Sequence, residues 1–91
     1  MRDKITEILD LIKINKFKEA EIKCDSIKKH FDENLEFLHI YGFVFFSLKN
    51  YEKAIDQWEK AIKIDPKFVD GLNNLGNALS KIKKFDEAIN M

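Results

Sequence analysis

The chain has 91 residues, 45% of them hydrophobic and 35% charged, and its sixteen basic and sixteen acidic residues cancel. This length allows one small domain, and the balance of apolar and charged residues excludes a disordered chain. A net charge of zero provides no field to attract nucleic acid or an acidic membrane, and a single cysteine excludes an internal disulfide. The N-terminal segment MRDKITEILDLIK lacks the continuous apolar stretch of a secretory signal. We therefore expect a soluble, cytoplasmic chain that binds neither nucleic acid nor a membrane.

Apolar residues at helical spacing predict a series of helices along the chain. In chain order they span residues 3–14, 17–30, 35–48, 51–64 and 69–82, and 85–91 begins a sixth. Short polar turns are predicted at Asn15-Lys16, Lys49-Asn50 and Lys83-Lys84. Asp65-Pro66 ends the fourth helix, because the residue before a proline disfavours the helical region. No segment alternates like a strand, so the predicted fold is all-α.

The third predicted helix contains four consecutive apolar residues, Phe43 to Phe46. At about 100° per residue these side chains sweep around most of the helix surface. Such a helix must be covered on several sides by other elements.

The helices recur as pairs with a period of 34 residues. Columns of like residues at this spacing are Leu11, Phe45 and Leu79; Phe17, Tyr51 and Phe85; and Ala20, Ala54 and Ala88. A fixed period of this length is typical of stacked helix pairs that share one continuous core. We interpret residues 1–91 as a single domain with units 1–34 and 35–68 and an incomplete third unit, 69–91.

The second unit carries the residues that identify a family. Gly42, Phe45, Ala54, Trp58, Ala61 and Pro66 stand at the signature offsets of the tetratricopeptide repeat, and the chain resembles that family along its whole length. The resemblance implies an all-α array of helical hairpins, a solenoid of two full repeats and a truncated third. The first unit departs from the pattern, with Ile8 where glycine is usual and Asp32 where proline is usual. A departure of this kind suits a terminal repeat.

The resemblance also implies that the first helix of each pair lines a concave groove that binds an extended peptide. The residues assigned to this groove are Ile5, Leu9, Ile12, His39, Phe43, Phe46, Asn73, Asn74 and Asn77. The groove should be apolar in the first two units and rich in amides in the third, where an asparagine offers both donors and an acceptor to a peptide backbone. Two other interpretations stay open: Phe43 and Phe46 are ordinary aromatics that lie partly in the core, or they form a contact between two copies of the chain.

The sequence offers little for catalysis or metal binding. Cys24 and His30 are six residues apart and face different sides of one helix, so they make a poor metal pair, and Cys24 is expected to be an inert, buried thiol. The basic clamp by which some members of the family bind a carboxylate is missing, since Ile5, Leu9, Ile40 and Asp70 occupy its positions. We expect no enzymatic activity, no cofactor and no metal.

The function predicted from these observations is that of a scaffold module that binds a protein or an extended peptide. The alternative is the N-terminal recognition segment of a larger enzyme, because residues 65–79 look most like repeats joined to glycosyltransferase or sulfotransferase domains. A homodimer is a further candidate, since Leu72, Leu75 and Leu79 are expected to lie partly bare.

Overall fold

The computed structural model describes residues 3–89 of the chain, with side chains for residues 3–84. Its helices are α1 (Lys4–Lys13), α2 (Phe17–Phe31), α3 (Leu35–Ser47), α4 (Tyr51–Ile64) and α5 (Val69–Ile89). Each helix packs mainly against the next one along the chain, and α1 also contacts α3. The described residues contain no strand. The predicted all-α array of helical hairpins is confirmed.

Side-chain hydrogen bonds cap the N-termini of α1 and α3, which are the first helices of the first two units. The Asp3 carboxylate accepts a hydrogen bond from the Ile5 amide at 2.7 Å, and the Asn34 side chain accepts one from the Phe37 amide at 2.9 Å. Such N-caps satisfy amides that have no partner within the helix. Asp3 and Asn34 therefore set where α1 and α3 begin.

The turns inside the first two hairpins share one left-handed geometry. Asn15 has a φ of 61° and Lys49, 34 residues later, has a φ of 63°. The following amides, of Lys16 and Asn50, donate back to the carbonyls of Leu11 and Phe45 at 2.9 and 2.8 Å. This is the Schellman arrangement, which satisfies the last carbonyls of a helix and sends the chain back alongside it.

The prediction of a third hairpin turn at Lys83-Lys84 is wrong. Helix α5 runs without interruption from Val69 to Ile89. A left-handed residue costs about 1–2 kcal/mol, and the first two turns offset this cost by packing a second helix of 14 or 15 residues against the first. At Lys83-Lys84 the chain does not turn back, and it keeps the backbone hydrogen bonds of helix α5 instead.

Helix α3 lies at the centre of the core and is covered by α1, α2 and α4. Seven of its thirteen residues are buried: Phe37, Leu38, Ile40, Tyr41, Gly42, Val44 and Phe45. The rings of Phe37, Tyr41 and Phe45 follow one another along the helix with centroids 5.3 and 4.5 Å apart. The run of apolar residues in α3 is therefore explained by neighbours on several sides.

The two complete hairpins fill their interior with opposite size patterns. In the second, a Cβ added to Gly42 would lie 2.7 Å from Cε2 of Trp58, so α3 and α4 meet where a ring covers a bare backbone. In the first, the equivalent positions hold Ile8 and Cys24, both with no exposed surface. The first hairpin therefore has its large residue, Ile8, on α1 and its small residue, Cys24, on α2. The second hairpin has the reverse arrangement, with the small Gly42 on α3 and the large Trp58 on α4. The departure of Ile8 from the repeat pattern is thus matched by Cys24.

Candidate partner-binding surface

Helix α3 has two contrasting sides. Phe37, Tyr41 and Phe45 form the floor of a cleft between α2 and α4. Phe43 is two residues from both Tyr41 and Phe45, which places it about 200° around the helix from each of them. Phe43 therefore lies on the side away from the cleft, where the first helices of the units are exposed.

One column of equivalent residues is exposed in all three units. Leu9 is 36% exposed and Phe43 is 41% exposed, and Asn77 is exposed at the equivalent position of α5. The ring of Phe43 also meets Phe17 edge-on, at 6.3 Å between centroids. Phe17 thus supports one face of Phe43 and leaves the rest of the ring open.

Other apolar residues assigned to the groove are more deeply packed. Ile5 is only 8% exposed and belongs to the core, while Ile12 is half-buried against it. Phe46 is half-buried as well, with its ring 5.3 Å from Tyr51 and 6.0 Å from Trp58. The apolar surface open to a partner is therefore narrower than the predicted stripe and centres on Leu9 and Phe43.

The surroundings of His39 favour its neutral form. The indole N–H of Trp58 donates to Nδ1 of His39 at 3.2 Å, and the ring of Phe68 stands edge-on at 5.3 Å. Burial lowers the pKa of His39 below its usual 6.5, and the nearby Asp70 opposes this shift. Because Nδ1 accepts a hydrogen bond, the proton of the neutral ring sits on Nε2, which is left as a donor.

The third unit presents amides on α5. Asn73 and Asn77 are exposed and Asn74 is half-buried. Ser80 is also exposed, one helical turn beyond Asn77. The surface thus changes from apolar on α1 and α3 to hydrogen-bonding on α5.

Comparison with known proteins bears on the resemblance to the tetratricopeptide repeat. A family model described as TPR repeat matches residues 42–83, which include the C-terminal part of α3, all of α4 and much of α5. This match supports the predicted resemblance to the tetratricopeptide-repeat (TPR) family. A TPR repeat-containing protein of Methanocaldococcus jannaschii is 33% identical to it over 51 residues, which are 56% of this chain and 9% of that protein. The chain spans less than a tenth of the length of this curated relative.

TPR repeats generally mediate interactions between proteins. The name of this relative states no activity beyond its repeats. The predicted link to a larger enzyme therefore stays a prediction.

The helical array also has a cleft on the opposite side of α3, which the sequence did not reveal. It has a volume of about 490 Å³, and α2 and α4 form its charged walls. Those walls are lined by Asp25, Lys28, Lys29, Asp32, Lys53, Asp56, Gln57 and Lys60. Tyr41 donates a hydrogen bond to Asp25 at one edge, and Nζ of Lys53 lies 5.6 Å from the ring centroid of Phe45. The signal in the sequence is the helical spacing of charges on both walls, which is equally typical of solvated helix faces.

The described part of the chain contains no cluster of three or more histidine, cysteine or acidic residues that could hold a metal ion. Within the same part, no helix is both long and apolar enough to cross a membrane. Cys24 is fully buried, as predicted, and burial raises the pKa of its thiol to about 12. It therefore stays protonated at neutral pH and is a poor nucleophile.

Proposed function

We propose that this TPR chain is a binding module that holds an extended segment of a partner protein across the exposed side of α1, α3 and α5. The observation that supports it is the column of Leu9, Phe43 and Asn77, which is exposed in all three units. Leu9 and Phe43 would contact apolar side chains of the partner, and Asn77 would hydrogen-bond its backbone.

The dimensions of the array suggest the spacing of the recognised residues. Packed helices lie about 8–10 Å apart, and an extended peptide advances about 3.3 Å per residue. Three peptide residues therefore span the step from one first helix to the next. The preferred segment would carry two apolar side chains about three residues apart, followed by a stretch held through its backbone beside Asn77.

His39 would add a directional contact to this surface. Its Nε2–H is a donor, and Asn73 stands at the equivalent position of the next unit. Donors at these two positions suit the carbonyl groups of an extended strand. The expected partner is a protein or peptide in the cytoplasm, and the predictions of no cofactor, no nucleic acid and no membrane partner are kept with this proposal.

The test uses a library of random peptides displayed on phage, selected against the parent chain. Selected peptides are then measured against Phe43→Ala, with Ile22→Ala as the matched control. Ile22 is 63% exposed on α2, so both substitutions remove an exposed apolar side chain. Phe46 is left unchanged because its ring contacts Trp58 in the core.

We expect Phe43→Ala to weaken binding of the selected peptides by about tenfold or more, as loss of a large anchor does in other interfaces. Ile22→Ala should leave binding within about twofold, since its helix lies outside the proposed surface. Circular dichroism should show equal helix content in both variants. Selected peptides that bind Phe43→Ala as tightly as the parent would overturn the proposal, as would a selection that yields no binder.

A further inference from the structure

The cleft between α2 and α4 contains a buried side-chain amide that has no partner within the described residues. Gln57 on α4 is only 9% exposed, and it lines this cleft. Its amide makes no hydrogen bond to any described residue, and no side-chain nitrogen or oxygen in that part of the chain is both sealed from solvent and unpaired. The Gln57 amide therefore opens into the cleft, where its two donors and its acceptor are free for a ligand.

The α2 wall changes from acidic to basic along the cleft. Tyr41 donates a hydrogen bond to Asp25, and Phe37 packs against Phe31 at 5.6 Å between ring centroids, so α2 runs antiparallel to α3. Asp25 therefore lies level with Tyr41, and the residues one helical turn later lie level with Phe37. The cleft residues of that second level on α2 are Lys28, Lys29 and Asp32.

The α4 wall follows the same order. Nζ of Lys53 lies 5.6 Å from the ring centroid of Phe45. Trp58 covers Gly42, three residues earlier on α3, so α4 also runs antiparallel to α3. The residues just before Trp58 therefore lie level with the middle of α3, and those after it lie toward Phe37. The cleft residues of α4 are, in this order, Asp56 and Gln57 at the Tyr41 level and Lys60 toward the Phe37 level.

Like charges of the two walls lie at the same level of the cleft. Asp25 and Asp56 lie at the Tyr41 level, and three lysines outnumber Asp32 at the Phe37 level. Among the described residues, no ion pair joins α2 to α4. An occupant with one positive and one negative group would therefore complement both levels at once.

We propose that this cleft binds an extended segment of a partner protein that carries a basic and an acidic residue two positions apart. The basic side chain pairs with Asp25 and Asp56, and the acidic side chain pairs with the lysines of the Phe37 level. Gln57 donates to a carbonyl group of the segment and accepts from one of its amides. A peptide backbone is the ligand that supplies both an acceptor and a donor to a single glutamine.

The dimensions of the cleft fit an extended chain. Its α4 wall runs from residue 53 to residue 60, which is about 10 Å along the helix and equals the length of about three extended residues. The acidic and basic levels are one helical turn apart, about 5.4 Å. In an extended chain, side chains two positions apart point to the same face and are about 6.6 Å apart. Two such side chains can therefore reach both levels together.

The cleft is separate from the surface formed by Leu9 and Phe43. It lies on the opposite side of α3, between the second helices of two consecutive units. A partner segment in the cleft would leave the other surface free. The two sites can therefore be tested independently, and failure at one leaves the proposal for the other intact.

The test titrates short capped peptides into nitrogen-15-labelled protein and follows the amide signals by NMR. The peptides share an alanine-serine host and differ at two positions separated by one residue, which hold Lys and Glu in either order, two Lys, or two Glu. Because exposed ion pairs are weak, we expect a dissociation constant of about 1 mM for a peptide of mixed charge. At least one mixed-charge peptide should bind about fivefold or more tightly than both like-charge peptides. The side-chain amide signals of Gln57 should shift, and the backbone signal of Phe43 should not.

Two charge reversals on α4 provide a matched pair of variants. Lys60 and Lys63 are both exposed near the end of this helix, and only Lys60 lines the cleft. We expect Lys60→Glu to weaken binding of the mixed-charge peptide by about fivefold or more, and Lys63→Glu to leave it within about twofold. Gln57→Leu, which removes the amide, should also weaken binding by about fivefold. Circular dichroism checks that each variant keeps the helix content of the parent, and Lys60→Glu tests the cleft even if Gln57→Leu does not fold.

Several outcomes would overturn the proposal. Like-charge peptides that bind as tightly as the mixed-charge ones would remove the role of the two levels. Signal shifts centred on Leu9 and Phe43 would place the peptide on the other surface. Equal binding by Lys60→Glu and Lys63→Glu, or no binding of any mixed-charge peptide up to about 10 mM, would also exclude this site.

Discussion

Gly42 is the position where one added carbon should have the largest effect. In Gly42→Ala the new Cβ would lie 2.7 Å from Cε2 and 2.8 Å from Nε1 of Trp58, whereas carbon atoms in contact prefer about 3.5–4.0 Å. The Trp58 ring must move by most of an ångström. This would stretch its hydrogen bond to His39, already 3.2 Å long, beyond a useful length.

The free energy of unfolding should therefore fall in Gly42→Ala. Overpacking costs about 1–3 kcal/mol and the strained hydrogen bond about 0.5–1.5 kcal/mol, while the helix gains about 0.8–1 kcal/mol from replacing a glycine. The net loss is about 1–3 kcal/mol, which lowers the midpoint of thermal unfolding by roughly 5–20 °C in a domain of this size. Gly42→Leu should be more destabilising still.

Gly76→Ala is the matched control, because Gly76 is the equivalent residue of the third unit and has open space around it. Only the gain in helix propensity applies there, so this variant should be stabilised by about 0.8–1 kcal/mol. The assay is urea unfolding at a few micromolar protein, followed by circular dichroism and by Trp58 fluorescence. If both glycine variants shift stability in the same direction, the contact between Gly42 and Trp58 is not what limits residue size in α3.

Three further predictions concern other parts of the chain. Lys49→Gly should stabilise the fold by about 0.5–1 kcal/mol, because glycine adopts the left-handed conformation of this residue without strain. Lys83→Gly should destabilise the fold by a similar amount, because Lys83 lies within helix α5. Urea unfolding compares the two variants, and equal shifts in the free energy of unfolding would contradict the two backbone geometries. Because the folded state lowers the pKa of His39, the free energy of unfolding should be highest above pH 6.5 and should decrease as the pH falls below that value. Urea unfolding at pH 7.5 and at pH 5.5 tests this. In the non-titrating variant His39→Gln, the difference between the two pH values should disappear. Cys24 should react with iodoacetamide at pH 8 only as fast as the chain opens, so labelling at the rate of a free thiol would contradict its burial.

The repeat period made the helices and their pairing predictable, because the spacing of apolar residues is a local property of the chain. The bounds of the first four helices agree with the prediction to within one or two residues. The close packing at Gly42 was also predictable, since a helix glycine within a repeat marks a near approach of two backbones.

The features that the sequence did not reveal depend on what lies next to a residue. Lys83-Lys84 is a polar dipeptide like Lys49-Asn50, yet helix α5 continues through it, whereas α3 ends before Lys49 and α4 begins after Asn50. Ile5 and Phe43 belong to the same predicted stripe, yet Ile5 is 8% exposed and Phe43 is 41% exposed. Helix α1 is covered by both α2 and α3, and such contacts between distant residues are not encoded in the spacing of one helix.

The opposite size patterns of the two complete hairpins restrict how such a gene can recombine. A crossover inside a hairpin turn has two possible products. One joins α1 to α4 and places Ile8 against Trp58, which overpacks the interior. The other joins α3 to α2 and places Gly42 against Cys24, which leaves a void. A crossover in the linkers at 32–34 or 65–68 keeps each matched pair intact. The heritable module is therefore the whole hairpin, and duplications that respect these linkers should yield folded descendants far more often than those that divide a turn.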